Sequence, residues 1–170
     1  MRDPDLDILE RAKRFAALFD ISVNLETPLG HGTDGHVWET SRKTALKVFR
    51  RERNYRREVE CYERLGAANV TKIDDFAVPT LIAHDDTLMV IEITIVSPPC
   101  IIDFGKASLD EPFDYPSEMA AEDESCVAEM FGDNWAQVQS ILAQLQAFYG
   151  IYYLDPRPWN IMFPGWDEEE

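Results

Sequence analysis

Between residues 29 and 58 the chain sets out, in order, a run of glycines, a lysine and a glutamate that together could hold a phosphate chain. Leu29-Gly30-His31-Gly32-Thr33-Asp34-Gly35-His36-Val37 places Gly30, Gly32, Gly35 and Val37 in a G-x-G-x-x-G-x-V array. Glycine tolerates positive φ and lacks a Cβ, so its amides can come close to phosphate oxygens. The flanking segments alternate like strands, which makes the array the bend of a hairpin rather than a strand-to-helix turn. Ten residues after Val37 comes Lys47, within Thr44-Ala45-Leu46-Lys47-Val48-Phe49. Alternate strand residues share a face, so Ala45 and Lys47 point the same way: a small surface for a flat base beside a cation for phosphates. The next segment, Arg53 to Leu65, fits a helix with Tyr55, Val59, Tyr62 and Leu65 on one stripe. Glu58 falls at the edge of that stripe and Glu60 on the opposite side, so Glu58 is the residue to face inward and pair with Lys47.

The glycine array, the A-x-K strand and the helical glutamate, in this order, resemble the N-terminal lobe of the protein-kinase-like fold. Val90-Ile91-Glu92-Ile93 is similar to the fifth kinase strand running into the hinge. That likeness implies that backbone groups at Ile91 and Glu92 hydrogen-bond an adenine edge. Near the other end, Asp155-Pro156-Arg157-Pro158-Trp159-Asn160 lies between two short apolar segments and looks like a kinase catalytic loop, D-x-x-x-x-N. The resemblance implies Asp155 as the catalytic aspartate, Arg157 as the basic residue two positions on, and Asn160 as a magnesium ligand. It also implies that Lys47 holds the α and β phosphates of ATP. The physics suits these roles, since an aspartate in a proline-restrained loop can accept a hydroxyl proton and an amide oxygen can ligate a hard cation. Taken alone, the same residues read equally as a proline turn after a helix.

Cys100-Ile101-Ile102-Asp103-Phe104-Gly105-Lys106 carries the Asp-Phe-Gly tripeptide of the kinase metal site, but ahead of the catalytic-loop segment instead of after it. Neighbouring strands can pair in either sequence order when a long connection joins them. The strand at 100–103 could therefore lie beside the one at 161–163 and deliver Asp103 to the metal as a second magnesium ligand. The other reading is a strand end with a glycine turn and a solvated aspartate. Tyr153-Leu154 stands where kinases carry His-Arg, and the ten residues after Asn160 contain no second Asp-Phe-Gly. Asp167 is too close to Asn160 for a hairpin to return it to the metal. The resemblance thus implies a reduced lower part.

A chain of 170 residues with 45% hydrophobic content suffices for one sizeable core. The formal net charge of −16 argues against a nucleic-acid partner. Of the 16 basic residues only Lys106 and Arg157 lie beyond residue 97, so an anionic ligand should prefer the first half. The acidic second half reads first as a solvated surface. Arg50, Arg51, Arg53, Arg56 and Arg57 form one basic patch, which either steers an anion or solvates a helix start. Cys61, Cys100 and Cys126 show no zinc spacing and suit a reduced, cytoplasmic protein. The longest apolar run, Leu88 to Val96, is interrupted by Glu92 and is too short to span a bilayer, so no membrane partner is expected.

The elements follow from periodicity. A helix is expected over 5–19, capped by Asp3 or Asp5, and a hairpin over 21–29 and 35–40. Further strands are expected over 43–50, 76–83 and 87–93, and helices over 117–131 and 134–149, the last closed by Gly150. The expectation is an α+β chain: an N-terminal helix (1–20), a protein-kinase-like antiparallel five-stranded N-lobe (21–96) and a reduced helical lower part (97–170). Its implied function is transfer from Mg2+-bound ATP to a hydroxyl on a small molecule or a protein. A pseudokinase-type interaction module, with a protein partner or a second copy, is the alternative. A third reading is a different α+β domain in which the glycine array is only a turn.

Overall fold

Thr44–Phe49 is buried along its whole length because it has a packed layer on each side. The computed structural model describes residues 4–32, 34–114 and 117–166. In chain order these form α1 (Pro4–Leu18), β1 (Val23–Gly32), β2 (Gly35–Thr40), β3 (Thr44–Phe49), α2 (Glu52–Ala67), β4 (Lys72–Ile73), β5 (Phe76–Ala77), β6 (Leu81–Asp85) and β7 (Val90–Thr94). There follow β8 (Cys100–Ile101), β9 (Ser108–Leu109), α3 (Ser117–Phe131), α4 (Trp135–Tyr149), β10 (Ile151–Tyr152) and β11 (Ile161–Met162). The class is α+β. Its upper sheet has five strands in the order β1-β2-β3-β7-β6, every pairing antiparallel.

The even-numbered side of β3 packs under α1, where Ile8, Ala12 and Phe15 meet Trp38, Leu46, Val48, Leu88 and Val90. On the opposite face the stripe of α2, Tyr55, Val59, Tyr62 and Leu65, joins one core with Phe104, Ile141, Leu145, Tyr153 and Ile161. That second core is continuous from the upper sheet into the lower helices. Each fully buried aromatic or aliphatic side chain contributes about 1.5–3 kcal/mol relative to exposure.

Two expectations change. The strand over 76–83 is broken: Phe76–Ala77 pairs in parallel with β8 in the lower sheet, and only Leu81–Asp85 stays in the upper one. Pro79, which has no N–H to give a ladder, sits at the break. Of the two cap candidates for α1, Asp5 falls inside the helix and Asp3 lies outside the described residues. Pro4 opens the helix, a position where its missing N–H costs nothing.

The lower part contains a four-stranded sheet, β11-β8-β5-β4, and the pair β10-β9. β8 runs antiparallel to β11, with Ile101 opposite Ile161 and Cys100 opposite Met162. The helices α3 and α4 are the long connection between these segments. No helix among the described residues is long and apolar enough to cross a membrane.

Candidate functional site

A cleft of about 720 Å³ lies between the upper sheet and the lower part, with a volume ordinary for a small-ligand site. Its apolar end is lined by Leu29, Gly30, Val37 and Ala45 above, Ile93, Thr94, Ile95 and Val96 along the edge, and Met162 below. At the polar end stand Asp34, Lys47, Glu58, Asp103, Lys106, Asp155 and Asn160.

Lys47 reaches this end from the centre of β3, and Glu58 from the inward face of α2. Lys47 Nζ donates to Glu58 Oε2 at 2.7 Å and to Asp103 Oδ1 at 3.2 Å. Glu60, on the other side of the helix, is exposed. Burial pushes the Glu58 carboxyl up to about 7, against the pull of Lys47. Burial also works against the Lys47 ammonium, but the carboxylates of Glu58 and Asp103 outweigh it and hold that group above its ordinary range. Desolvation disfavours the Glu58 charge, and the neighbouring Asp103 carboxylate acts in the same direction.

Asp103 is delivered by the turn after β8. Its φ of 62° is in the left-handed region, an uncommon conformation for a side-chain-bearing residue. Several contacts hold it there. Ile102 N donates to Asn160 O at 2.8 Å, and the Tyr153 hydroxyl donates to Ile102 O. Phe104 is fully buried edge-on between Tyr62 and Tyr153, its ring centroid 5.3 Å from each. Gly105 follows, and a Cβ there would come within 3.2 Å of Glu58 Oε2, so a larger residue would disturb the ion pair.

The segment with Asp155, Arg157 and Asn160 links β10 to β11. Asn160 Nδ2 donates to the Asp155 backbone oxygen at 3.0 Å and to Asp155 Oδ2 at 3.3 Å, which leaves its amide oxygen as the end available to a cation. Arg157 is divided between Asp155 Oδ1, 3.3 Å from Nε, and Asp123 Oδ1, 3.1 Å from Nη2. Lys106 Nζ donates to Asp155 Oδ2 at 3.0 Å, a contact that raises its own proton affinity.

Within the glycine array the roles separate. Gly35 is pressed against β3, where an added Cβ would meet Val48 O at 2.1 Å. No atom lies within 4 Å of a Cβ built on Gly30, which faces the cleft. Gly32 pairs with Gly35 at the hairpin end, and Thr33 between them lies outside the described residues.

Ile91 and Glu92 require a correction. Both are mid-strand in β7, opposite Lys47 and Leu46 of β3 on one side and His84 and Ala83 of β6 on the other. Their backbone groups are thus directed at neighbouring strands. The Glu92 side chain accepts from Thr44 Oγ1 at 2.6 Å, on the face turned towards α1. The edge facing the cleft starts at Ile93 and runs to Val96. Sequence reasoning also passed over Asp34 and Lys106. The one available signal was the scarcity of bases after residue 97, which makes Lys106 conspicuous. Asp167 lies outside the described residues.

No protein-family model matches the sequence, and no curated protein matches it. Among solved structures the chain is similar to the streptomycin-ATP-APH(2")-IIa ternary complex, at 13% identity and a TM-score of 0.42. It is also similar to ADP-bound aminoglycoside phosphotransferase APH(2'')-Ib, at 14% identity and a TM-score of 0.43. Each likeness covers 81% of this chain and 39% of the other, so the chain spans about two fifths of the length of these structures. Likeness at these scores carries no functional conclusion for this chain.

Proposed function

We propose that this chain is a protein-kinase-like ATP-binding phosphotransferase acting on a hydroxyl acceptor. The observation that carries the reading is that Lys47, Glu58, Asp103, Asp155 and Asn160, drawn from separate segments, meet at one end of a cleft whose other end is an apolar slot. The slot suits a flat base lying between Val37 and Ala45 above and Met162 below. Lys47, oriented by Glu58, holds the α and β phosphates beneath the glycine hairpin. Asp155 orients the acceptor hydroxyl and takes its proton, and Arg157 keeps that carboxylate in place.

The donor set fits magnesium. Asp103 offers a carboxylate and Asn160 an amide oxygen, leaving the remaining positions to phosphate oxygens and water, as is usual for this ion. Among the described residues no cluster of three or more His, Cys, Asp or Glu side chains could hold a metal alone. The cation is therefore expected to arrive with the nucleotide. When bound, it supplies positive charge against the phosphate oxygens. The acceptor is a small molecule or a protein hydroxyl.

A second reading, a nucleotide-responsive interaction module without transfer, is favoured by one observation: Asp155 is engaged by both Lys106 and Arg157. Titrating ATP with and without magnesium into the wild type and Asp103→Asn tests the site. Magnesium-dependent binding that is lost in Asp103→Asn is expected; binding indifferent to magnesium in both would sink the metal assignment. Label from γ-labelled ATP appearing on an acceptor or in water separates transfer from mere binding.

A further inference from the structure

Lys106 bridges the roof and floor of the cleft at its polar end. Its Nζ donates to Asp155 Oδ2 at 3.0 Å and lies 3.7 Å from Asp34 Oδ2. Asp34 belongs to the glycine hairpin, and Asn54 Nδ2 of α2 donates to its Oδ1 at 2.6 Å. Both acids are well shielded, with side-chain exposures of 13% for Asp34 and 19% for Asp155, whereas Lys106 is 49% exposed. The cleft therefore has two lysines in different settings. Lys47 is locked deep between Glu58 and Asp103, and Lys106 stands nearer solvent between one carboxylate above and one below. A half-exposed ion pair contributes little to stability, so this bridge is weak as a structural tie.

Resting on the nucleotide reading of the cleft, we propose that Lys106 reads the terminal phosphate of a nucleoside triphosphate and, by leaving Asp155, frees that carboxylate for the acceptor. In the arrangement seen here Lys106 neutralises Asp155 and closes the polar end against Asp34. A terminal phosphate offers three acceptor oxygens and more charge than either carboxylate, so it competes well for the ammonium. Once Lys106 has turned to it, Asp155 keeps Arg157 and Asn160 and opens towards a hydroxyl. A diphosphate ends one phosphate short and leaves Lys106 where it was. Asp34, a negative charge in the roof over the phosphates, sets the threshold for this exchange. The bridge thereby couples the availability of Asp155 to the presence of a phosphoryl group that can be transferred.

The test is calorimetric affinity for magnesium-ATP and magnesium-ADP in the wild type, Lys106→Met, Lys106→Arg and Asp34→Asn, with a melting curve for each. The wild type is expected to prefer ATP. Lys106→Met should cut the ATP-to-ADP affinity ratio about tenfold, the size of one charge-assisted hydrogen bond, with an unchanged melting temperature. Lys106→Arg should keep part of the preference, and Asp34→Asn should raise affinity for ATP more than for ADP. ADP in the same protein is the internal control that a general structural effect would move equally. Wild type that binds both nucleotides while Lys106→Met keeps the wild-type ratio overturns this inference and leaves the nucleotide site standing. Wild type that binds neither overturns the nucleotide reading, and this inference with it.

Discussion

Lys47 and Glu58 form a nearly dry ion pair, and Lys47 also meets the more exposed carboxylate of Asp103. Removing Lys47 leaves the buried Glu58 without its cation, whereas removing Glu58 leaves Lys47 paired with Asp103. Lys47→Met should destabilise the fold by about 3–5 kcal/mol and Glu58→Met by less, and replacing both with Met should cost less than the two single losses together. Chemical denaturation of the two single variants and the double one measures this cycle; a loss in the double variant equal to the sum of the two single losses would mean that the charges do not interact. Both residues were legible in the sequence because each inference was local. Period two placed Lys47 with Ala45 on one face of a strand, and a helical wheel separated Glu58 from Glu60. Asp34 and Lys106 were not legible, because their partnership joins positions over 70 residues apart and no local periodicity encodes it. Ile91 and Glu92 misled for a related reason. The strand was correctly located, but where its last ladder bond falls depends on the neighbouring strands.

At the scale of elements, the ends of three segments are tied by Arg64 near the C-terminus of α2. Its guanidinium donates to both oxygens of Asp110, at 2.7 and 2.8 Å, and to the backbone oxygen of Tyr149 at the end of α4, at 3.1 Å. Gly150 closes α4 in the left-handed conformation that the sequence signalled, with φ 63°. It is also squeezed, since a Cβ there would meet Asp110 Oδ1 at 2.5 Å. The hydrogen bonds from Arg64 hold the Asp110 carboxyl below its ordinary value. The folded chain thus sheds this proton at a lower pH than the unfolded chain. The resulting stabilisation is present above the unfolded value of about 3.9 and is lost as pH falls through the folded one. Asp110→Asn should accordingly lower the melting temperature near neutral pH, with the gap to the wild type closing below about pH 4. A gap that is constant across that range would contradict the assignment. The helix α4 was readable from apolar spacing and its closing glycine. The break that sends β5 and β6 to different sheets was not, because it depends on a parallel pairing with β8 that only the assembled fold creates.

On the scale of the whole molecule, the chain order of the polar segments is the unusual feature. The Asp-Phe-Gly segment precedes the segment with Asp155 and Asn160 by two helices, yet β8 and β11 lie side by side and bring Asp103 and Asn160 into adjacent turns. A strand pair does not record which of its members came first in the chain, so the same local geometry is reachable from either order. The continuous core beneath it, from Tyr62 through Phe104 to Tyr153, fixes the lower segments to α2 and hence to Lys47. The role proposed for this assembled end is to bind a magnesium-nucleotide. The most direct test is calorimetric titration of ATP, with and without magnesium, into the wild type and the Lys47→Met/Glu58→Met double variant, which removes both buried charges together. Magnesium-dependent binding to the wild type and its loss in a double variant that still melts cooperatively are expected. Absence of binding to the wild type, or equal binding to both proteins, would contradict that role.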